Sequence, residues 1–181
     1  MDAVVLAVSY DTALLAAREM LDIPVVGLTE AALLTAAMVG TRTGVVIFGR
    51  RVLPLYQEAL ARHGLAWRVS AWRALESSAP YSAGDHSESD RLIVQAVQSM
   101  VDQDACEVVV LGGAVMAGVA QRLQDQVEVP LLEGLSCAVP MAEMLARMAL
   151  PKPRVGSLAA LPAREVVGLS PALGQRFVSK A

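Results

Sequence analysis

Two strand-to-helix turns carry the residues of this 181-residue chain that are best placed for chemistry. The first, Ser9-Tyr10-Asp11-Thr12, follows the run Val4-Val5-Leu6-Ala7-Val8 and offers three hydroxyls and a carboxylate. Beside a helix N-terminus, Ser9, Tyr10 and Thr12 would donate to a bound carboxylate or amide, although polar residues in such turns also satisfy their own backbone. The second turn, Gly112-Gly113-Ala114, leaves backbone N–H groups open to an anion or a developing enolate, and also reads as a tight turn in which glycine accepts positive φ. Acid/base chemistry on a bound ligand needs a titratable group within reach of it. Glu30 and Glu133 follow strands at equivalent places and are, with Tyr10, the candidates for the acid/base role. Each glutamate equally reads as a negative charge at a helix N-terminus. Asp11 reads first as the N-cap of the helix that follows it.

Other reactive side chains lack partners in sequence. Cys137 falls within a helix and Cys106 just before a strand, and both read as packed thiols. His63 stands at a helix end and His86 in a loop, without the spacing of metal ligands. No dinucleotide or NTP loop occurs, so no cofactor is expected.

The elements that must position these turns alternate between strand and helix patterns. Strands are predicted at 4–8, 23–27, 44–48, 67–72, 107–111 and 129–132. Helices are predicted at 13–21, 29–39, 52–62, 87–104, 114–124 and 135–148, several opened by cap residues or closed by glycine. Residues 74–87 carry no period and read as a long loop of the kind that serves as a lid, while the segment from Pro151 reads as an extended tail. The order is that of an α/β protein with parallel sheets. The layouts starting at Val4-Val5-Leu6 and Val109-Val110-Leu111 read equally as a chance coincidence of patterns common in βαβ proteins and as an internal duplication, which would set Val8 opposite Gly113. Both fall at strand C-terminal ends, the edge of an open α/β sheet where ligands bind.

Composition narrows the partners. Residues are 55% hydrophobic with only seven aromatics, which suits strands buried on both faces and equally suits a large interface between copies, so a homo-oligomer is expected. The longest apolar stretch falls short of a membrane span of about 20 residues. A net charge of −3 and the absence of any long basic cluster argue against nucleic acid. Two cysteines form no disulfide framework, and no signal-peptide pattern precedes Asp2, so a reducing cytoplasm is expected.

At the two turns the sequence resembles the Asp/Glu/hydantoin racemase superfamily, whose members carry a Cys-Phe-Gly-Asp-Pro-Gly type turn and later a Leu-Gly-Cys-Ala-Gly-Met type turn. The segments here are Val8-Ser9-Tyr10-Asp11-Thr12-Ala13 and Leu111-Gly112-Gly113-Ala114-Val115-Met116. Ile23-Pro24-Val25-Val26-Gly27-Leu28-Thr29-Glu30 and Val129-Pro130-Leu131-Leu132-Glu133-Gly134 extend the likeness, which runs from Asp2 to about Leu145. The resemblance implies two pseudo-symmetric α/β lobes with a ligand cleft between them: residues 1–41 in the first lobe, 42–132 in the second, 133–150 returning to the first, and 151–181 as a tail.

It further implies a cofactor-independent racemase acting on amino acids or derivatives such as hydantoins, with one thiol on each side of the substrate's α-carbon. Here those thiol positions are Val8 and Gly113, neither of which exchanges a proton. A branch with the Gly-Gly-Ala form, carrying a hydrogenase-expression label, is similar. The Val-Thr-Thr type turn of the family is Ile47-Phe48-Gly49, leaving Phe48 and Gly49 in the ligand region without hydroxyls. The family also has an earlier strand, helix and strand, so either a truncated copy or a start set downstream is expected. Two functions follow from the resemblance: a racemase with altered or lost proton transfer, or a non-catalytic small-carboxylate-binding or hydrogenase-accessory protein.

Overall fold

The computed structural model describes all residues except 77–84, 160, 161, 164, 176 and 178–181. Strands and helices alternate as β1 (Val4–Leu6), α1 (Leu14–Met20), β2 (Val25–Gly27), α2 (Leu28–Val39), β3 (Thr43–Phe48), α3 (Leu53–Arg62) and β4 (Val69–Leu75). They continue as α4 (Ser87–Asp104), β5 (Val108–Leu111), α5 (Val119–Leu123), β6 (Leu131–Glu133), α6 (Gly134–Met148) and a short α7 (Pro171–Gly174). Every strand pair is parallel, as helical crossovers between successive strands require. β1 and β2 form a two-stranded sheet, and the other four strands form a second sheet in the order β4-β3-β5-β6.

The apolar excess is spent in two layers. Val45, Ile47, Val108 and Val110 on one face of the larger sheet pack with Val26 of β2, Leu33 and Ala36 of α2, Tyr56 and Leu60 of α3, and Ala138 of α6. Val46, Val109 and Leu111 on the opposite face pack with Ile93, Val97 and Met100 of α4 and with Val119 and Leu123 of α5. The central strands β3 and β5 are therefore covered on both sides, which accounts for their unbroken β-branched runs. α6 returns to pack on α2 at a close approach: a Cβ on Gly134 would lie 2.7 Å from the Leu28 Cβ.

Several boundaries differ from the sequence pattern. The helix predicted over 114–124 is a single 3₁₀ turn, Ala114–Met116, followed by α5, because Gly118 sits at φ 79° and breaks the run. β4 extends to Leu75, so the strand takes in the first residues of the predicted loop. The remainder of that loop, and with it the lid expectation, lies largely outside the described residues. Among the described residues, no helix is long and apolar enough to cross a membrane.

Candidate functional site

The C-terminal ends of β1, β2, β5 and β6 converge on one cleft. Ser9 from the turn after β1, Thr29 at the start of α2, Tyr56 of α3, Gly112 and Gly113 after β5, and Gly134 at the start of α6 surround its polar parts. Leu28, Ala32, Leu33, Val45 and Leu60 form apolar walls. The cleft holds about 350 Å³ of free space counting its open mouth, but the room in which a water fits is only about 10 Å³. A ring-sized ligand therefore needs the two sides to part.

Hydroxyls meet the glycine turn. A Cβ on Gly113 would lie 3.7 Å from the Tyr56 hydroxyl and 3.9 Å from the Ser9 hydroxyl. Burial pushes the Tyr56 phenol up to about 12, against the opposing effect of a hydrogen bond with Ser9. At neutral pH it is thus a donor and not a base. Tyr10 packs edge-on against Tyr56, with ring centroids 5.3 Å apart. Gly113 itself adopts φ 121° and ψ 140°, a region that side chains rarely enter.

The turn 9–13 has an unusual backbone. Tyr10, Asp11 and Ala13 have φ of 48°, 52° and 65°, three left-handed non-glycine residues within four positions. In the related Cys-Phe-Gly-Asp-Pro-Gly type turn, the places of Tyr10 and Ala13 are glycines.

Asp11 caps a helix, but not the one predicted. The helix that follows it, α1, has no side-chain cap. Instead, the Asp11 carboxylate reaches across to α2 and accepts from Thr29 N–H at 2.9 Å and Glu30 N–H at 2.8 Å. The left-handed backbone at Asp11 and Ala13 turns the side chain away from α1. Gly27 makes the approach possible, since a Cβ there would stand 2.5 Å from the Asp11 carboxyl carbon.

Glu133 does cap its own helix, accepting from Leu135 N–H at 2.7 Å and Ser136 N–H at 2.9 Å. Both Glu133 oxygens are thus engaged by the first turn of α6, and the residue is buried. Glu30 accepts from Arg18 through both carboxylate oxygens and lies 3.4 Å from His63 Nδ1. Burial works to raise its pKa, but hydrogen bonds from His63 and Arg18 outweigh that and bring it to about 2.

His63 is the polar residue whose role leaves no mark in the sequence. Its Nε2 lies 3.2 Å from Asp11 Oδ2, and hydrogen bonds with Asp11 and Glu30 raise its pKa to about 9. Nothing in sequence pairs His63 with an aspartate 52 positions earlier. Only the packing of α3 behind the turn brings them together.

Val8, at the family's first thiol position, is exposed at the start of the turn, and of the other predicted ligand-binding residues Thr12 and Ala114 are exposed. Phe48 packs towards the α4 and α5 side of the sheet, and Gly49 has open space around it. None of these five lines the cleft. Cys106 and Cys137 are both buried free thiols. Among the described residues no group of His, Cys, Asp and Glu side chains is arranged to hold a metal.

Parallel strands in two sheets, with a cleft at strand ends contributed by both, define an α/β protein of the racemase-like class. The family model for Asp/Glu/hydantoin racemase matches residues 1–142, and the chain belongs to that family. It is similar to hydantoin racemase from Rhizobium meliloti, with 31% identity over 144 residues that cover 80% of this chain and 60% of the relative. The chain thus spans less than two thirds of that relative's length. Among solved structures it is similar to allantoin racemase from Klebsiella pneumoniae, at TM-score 0.84 and 30% identity over 93% of this chain and 69% of the other. Allantoin racemase from Pseudomonas fluorescens gives TM-score 0.85 at 30% identity, covering 93% and 72%.

Proposed function

We propose that this chain is a racemase-family protein that takes a small amide-containing ring of the hydantoin or allantoin kind in its cleft, and in which proton transfer by a thiol pair has been lost. The observation that carries this reading is the surroundings of Gly113. Where the family pattern has a thiol there is no side chain, and the groups nearest that position include two hydroxyls. Neither is a base at neutral pH, so α-proton abstraction lacks an acceptor.

Charge favours a neutral ligand over a free carboxylate. Among the described residues no Lys, Arg or His lines the cleft, and the Asp11 carboxylate acts on Tyr56 from behind. An incoming carboxylate would find no cationic side chain on the cleft wall to pair with. Amide carbonyls would instead accept from the Tyr56 and Ser9 hydroxyls and from the Gly113 N–H, the Gly112 N–H being already donated to the Val46 carbonyl.

Thermal-shift and calorimetric titration with hydantoin and allantoin, against aspartate and glutamate, tests the binding. α-Proton exchange of the same compounds in D₂O tests the chemistry. Stabilisation by the ring amides alone, with exchange at background, is the expected result. Robust exchange that survives alkylation of both cysteines would sink the claim that proton transfer is lost.

Self-association belongs to the same reading. Met38 and Val39 of α2, and Val139, Met144 and Met148 of α6, leave large apolar side chains exposed. Sedimentation at equilibrium would find a monomer if those faces are not covered by another copy.

A further inference from the structure

The side of turn 9–13 that faces away from the cleft meets a cavity of about 100 Å³, lined by Asp11, Ala13, Leu14, Leu15, Ala16, Arg62 and His63. Apolar packing therefore does not clamp the turn on that side, although three of its residues hold left-handed backbone that is unfavourable for a residue with a Cβ. The restraint that remains is polar. Asp11 is tied to α2 by two backbone N–H groups and to α3 by the His63 ring. His63 is itself held on its other nitrogen by Glu30, which Arg18 of α1 grips.

We propose that His63 is a positioning residue for the cleft: by bridging Asp11 and Glu30 it holds turn 9–13 in the left-handed shape that keeps the Ser9 hydroxyl beside Tyr56 and Gly113. None of His63, Glu30 and Arg18 lines the cleft, so the effect on a ligand passes through the turn. The charged groups around the imidazole come from every element that packs there. Asp11 belongs to the turn, Glu30 to α2, Arg18 to α1 behind Glu30, and Arg62 is the imidazole's own neighbour at the end of α3. With the ring protonated, the quartet Asp11, Glu30, Arg18 and His63 is electrically balanced. When the ring loses its proton, two carboxylates share one guanidinium, and Asp11 is the one left without a cation. The raised pKa of His63 fits this, since it sets the release near pH 9 and keeps the turn closed at neutrality.

This inference rests on the cleft being the ligand site, and the test separates the two. Amide hydrogen exchange of Thr29 and Glu30 reports the Asp11 cap directly, with no ligand present. In the full-length protein their protection, corrected for intrinsic exchange, should hold to about pH 8 and fall about tenfold or more between pH 8 and 10. The β5 amides should keep theirs. His63→Gln should give low protection at Thr29 and Glu30 from pH 6.5 upward, without the step, and weaken hydantoin binding at pH 7 about tenfold.

Wild-type protection in His63→Gln, or a titration of the native protein with no step, would overturn the proposal. So would a loss that spreads equally to β5, which marks general destabilisation. If the variant does not fold, the native titration alone decides. Should hydantoin bind to neither protein while the step at Thr29 and Glu30 is present, the positioning role stands and the ligand reading falls.

Discussion

The Asp11 carboxylate and the His63 imidazole stand 3.2 Å apart, one in the turn after β1 and the other at the end of α3. They join the small sheet to the large one at a point where both are nearly closed to water. The stability of the protein should follow the charge on this pair.

The folded protein holds the His63 pKa near 9, above the ordinary 6.5, so the pair's contribution is complete below about pH 6.5 and is lost as pH rises through 9. It should amount to about 3 kcal/mol, shared between the Asp11 and Glu30 contacts. Chemical denaturation from pH 6 to 10 should show the decline, and His63→Gln should flatten it. The acid limb has the opposite sense: Glu30, lowered to about 2 from 4.5, contributes above pH 4.5 and ceases to as pH falls towards 2.

Gly27→Ala should be among the costlier single-methyl changes in the molecule. The new Cβ would sit 2.5 Å from the Asp11 carboxyl carbon and Oδ1, and would push the cap off α2. A loss of about 2–3 kcal/mol is expected from the clash and the broken cap together. Urea denaturation measures it, and the double variant with Asp11→Ala should cost less than the two changes added.

Ala13→Gly should stabilise. Ala13 has φ 65° and is exposed, so the change removes strain without opening a cavity. About 1 kcal/mol is expected, seen as a rise in Tm. Tyr10→Gly offers the same relief of backbone strain but forfeits the ring packed on Tyr56, so its net effect should be smaller or reversed.

Gly113→Cys should destabilise by about 2 kcal/mol, although a Cβ there meets nothing closer than 3.6 Å. The obstacle is the backbone at φ 121° and ψ 140°. Thermal unfolding of this variant against Gly112→Ala separates the two origins of cost, because at Gly112 the difficulty is crowding, with Ile47 at 3.0 Å and Tyr56 at 3.2 Å.

Glu133→Ala tests a residue that sequence alone nominates for acid/base chemistry. Both oxygens serve the first turn of α6, so the change should cost about 1–2 kcal/mol of stability. Hydantoin affinity at pH 7, measured by calorimetry below the unfolding transition, should stay within a few-fold of wild type if Glu133 only caps its helix.

Strand and helix periods make the alternating architecture readable, because β3 and β5 are buried on both faces and leave runs such as Val108-Val109-Val110-Leu111. The turn at Gly112-Gly113 is also legible, since paired glycines at the end of a β-branched run mark a place where the backbone must leave the sheet. Relations that depend on distant chain segments are not. Capping is ordinarily local, so the sequence points Asp11 to the helix next to it; its actual partners, Thr29 and Glu30, lie 18 and 19 positions on. His63 carries no local signal, and Tyr56 looks like any core aromatic until the fold sets its hydroxyl beside Gly113. Gly118 reads as a helix residue although its left-handed backbone separates the 3₁₀ turn from α5, a failure of propensity at a single position.

Among the described residues the small sheet consists of Val4–Leu6 and Val25–Gly27, three residues each. A ribbon of that size has little cooperative strength of its own. It persists by leaning on α2 and α6 and on the clasp between Asp11 and His63, so the chain should come apart in stages, with this ribbon as its earliest unit to open and the four-stranded sheet as its last. The cleft's Ser9 belongs to the early unit and its Gly113 to the late one, which makes the binding site a seam between two regions of unequal endurance.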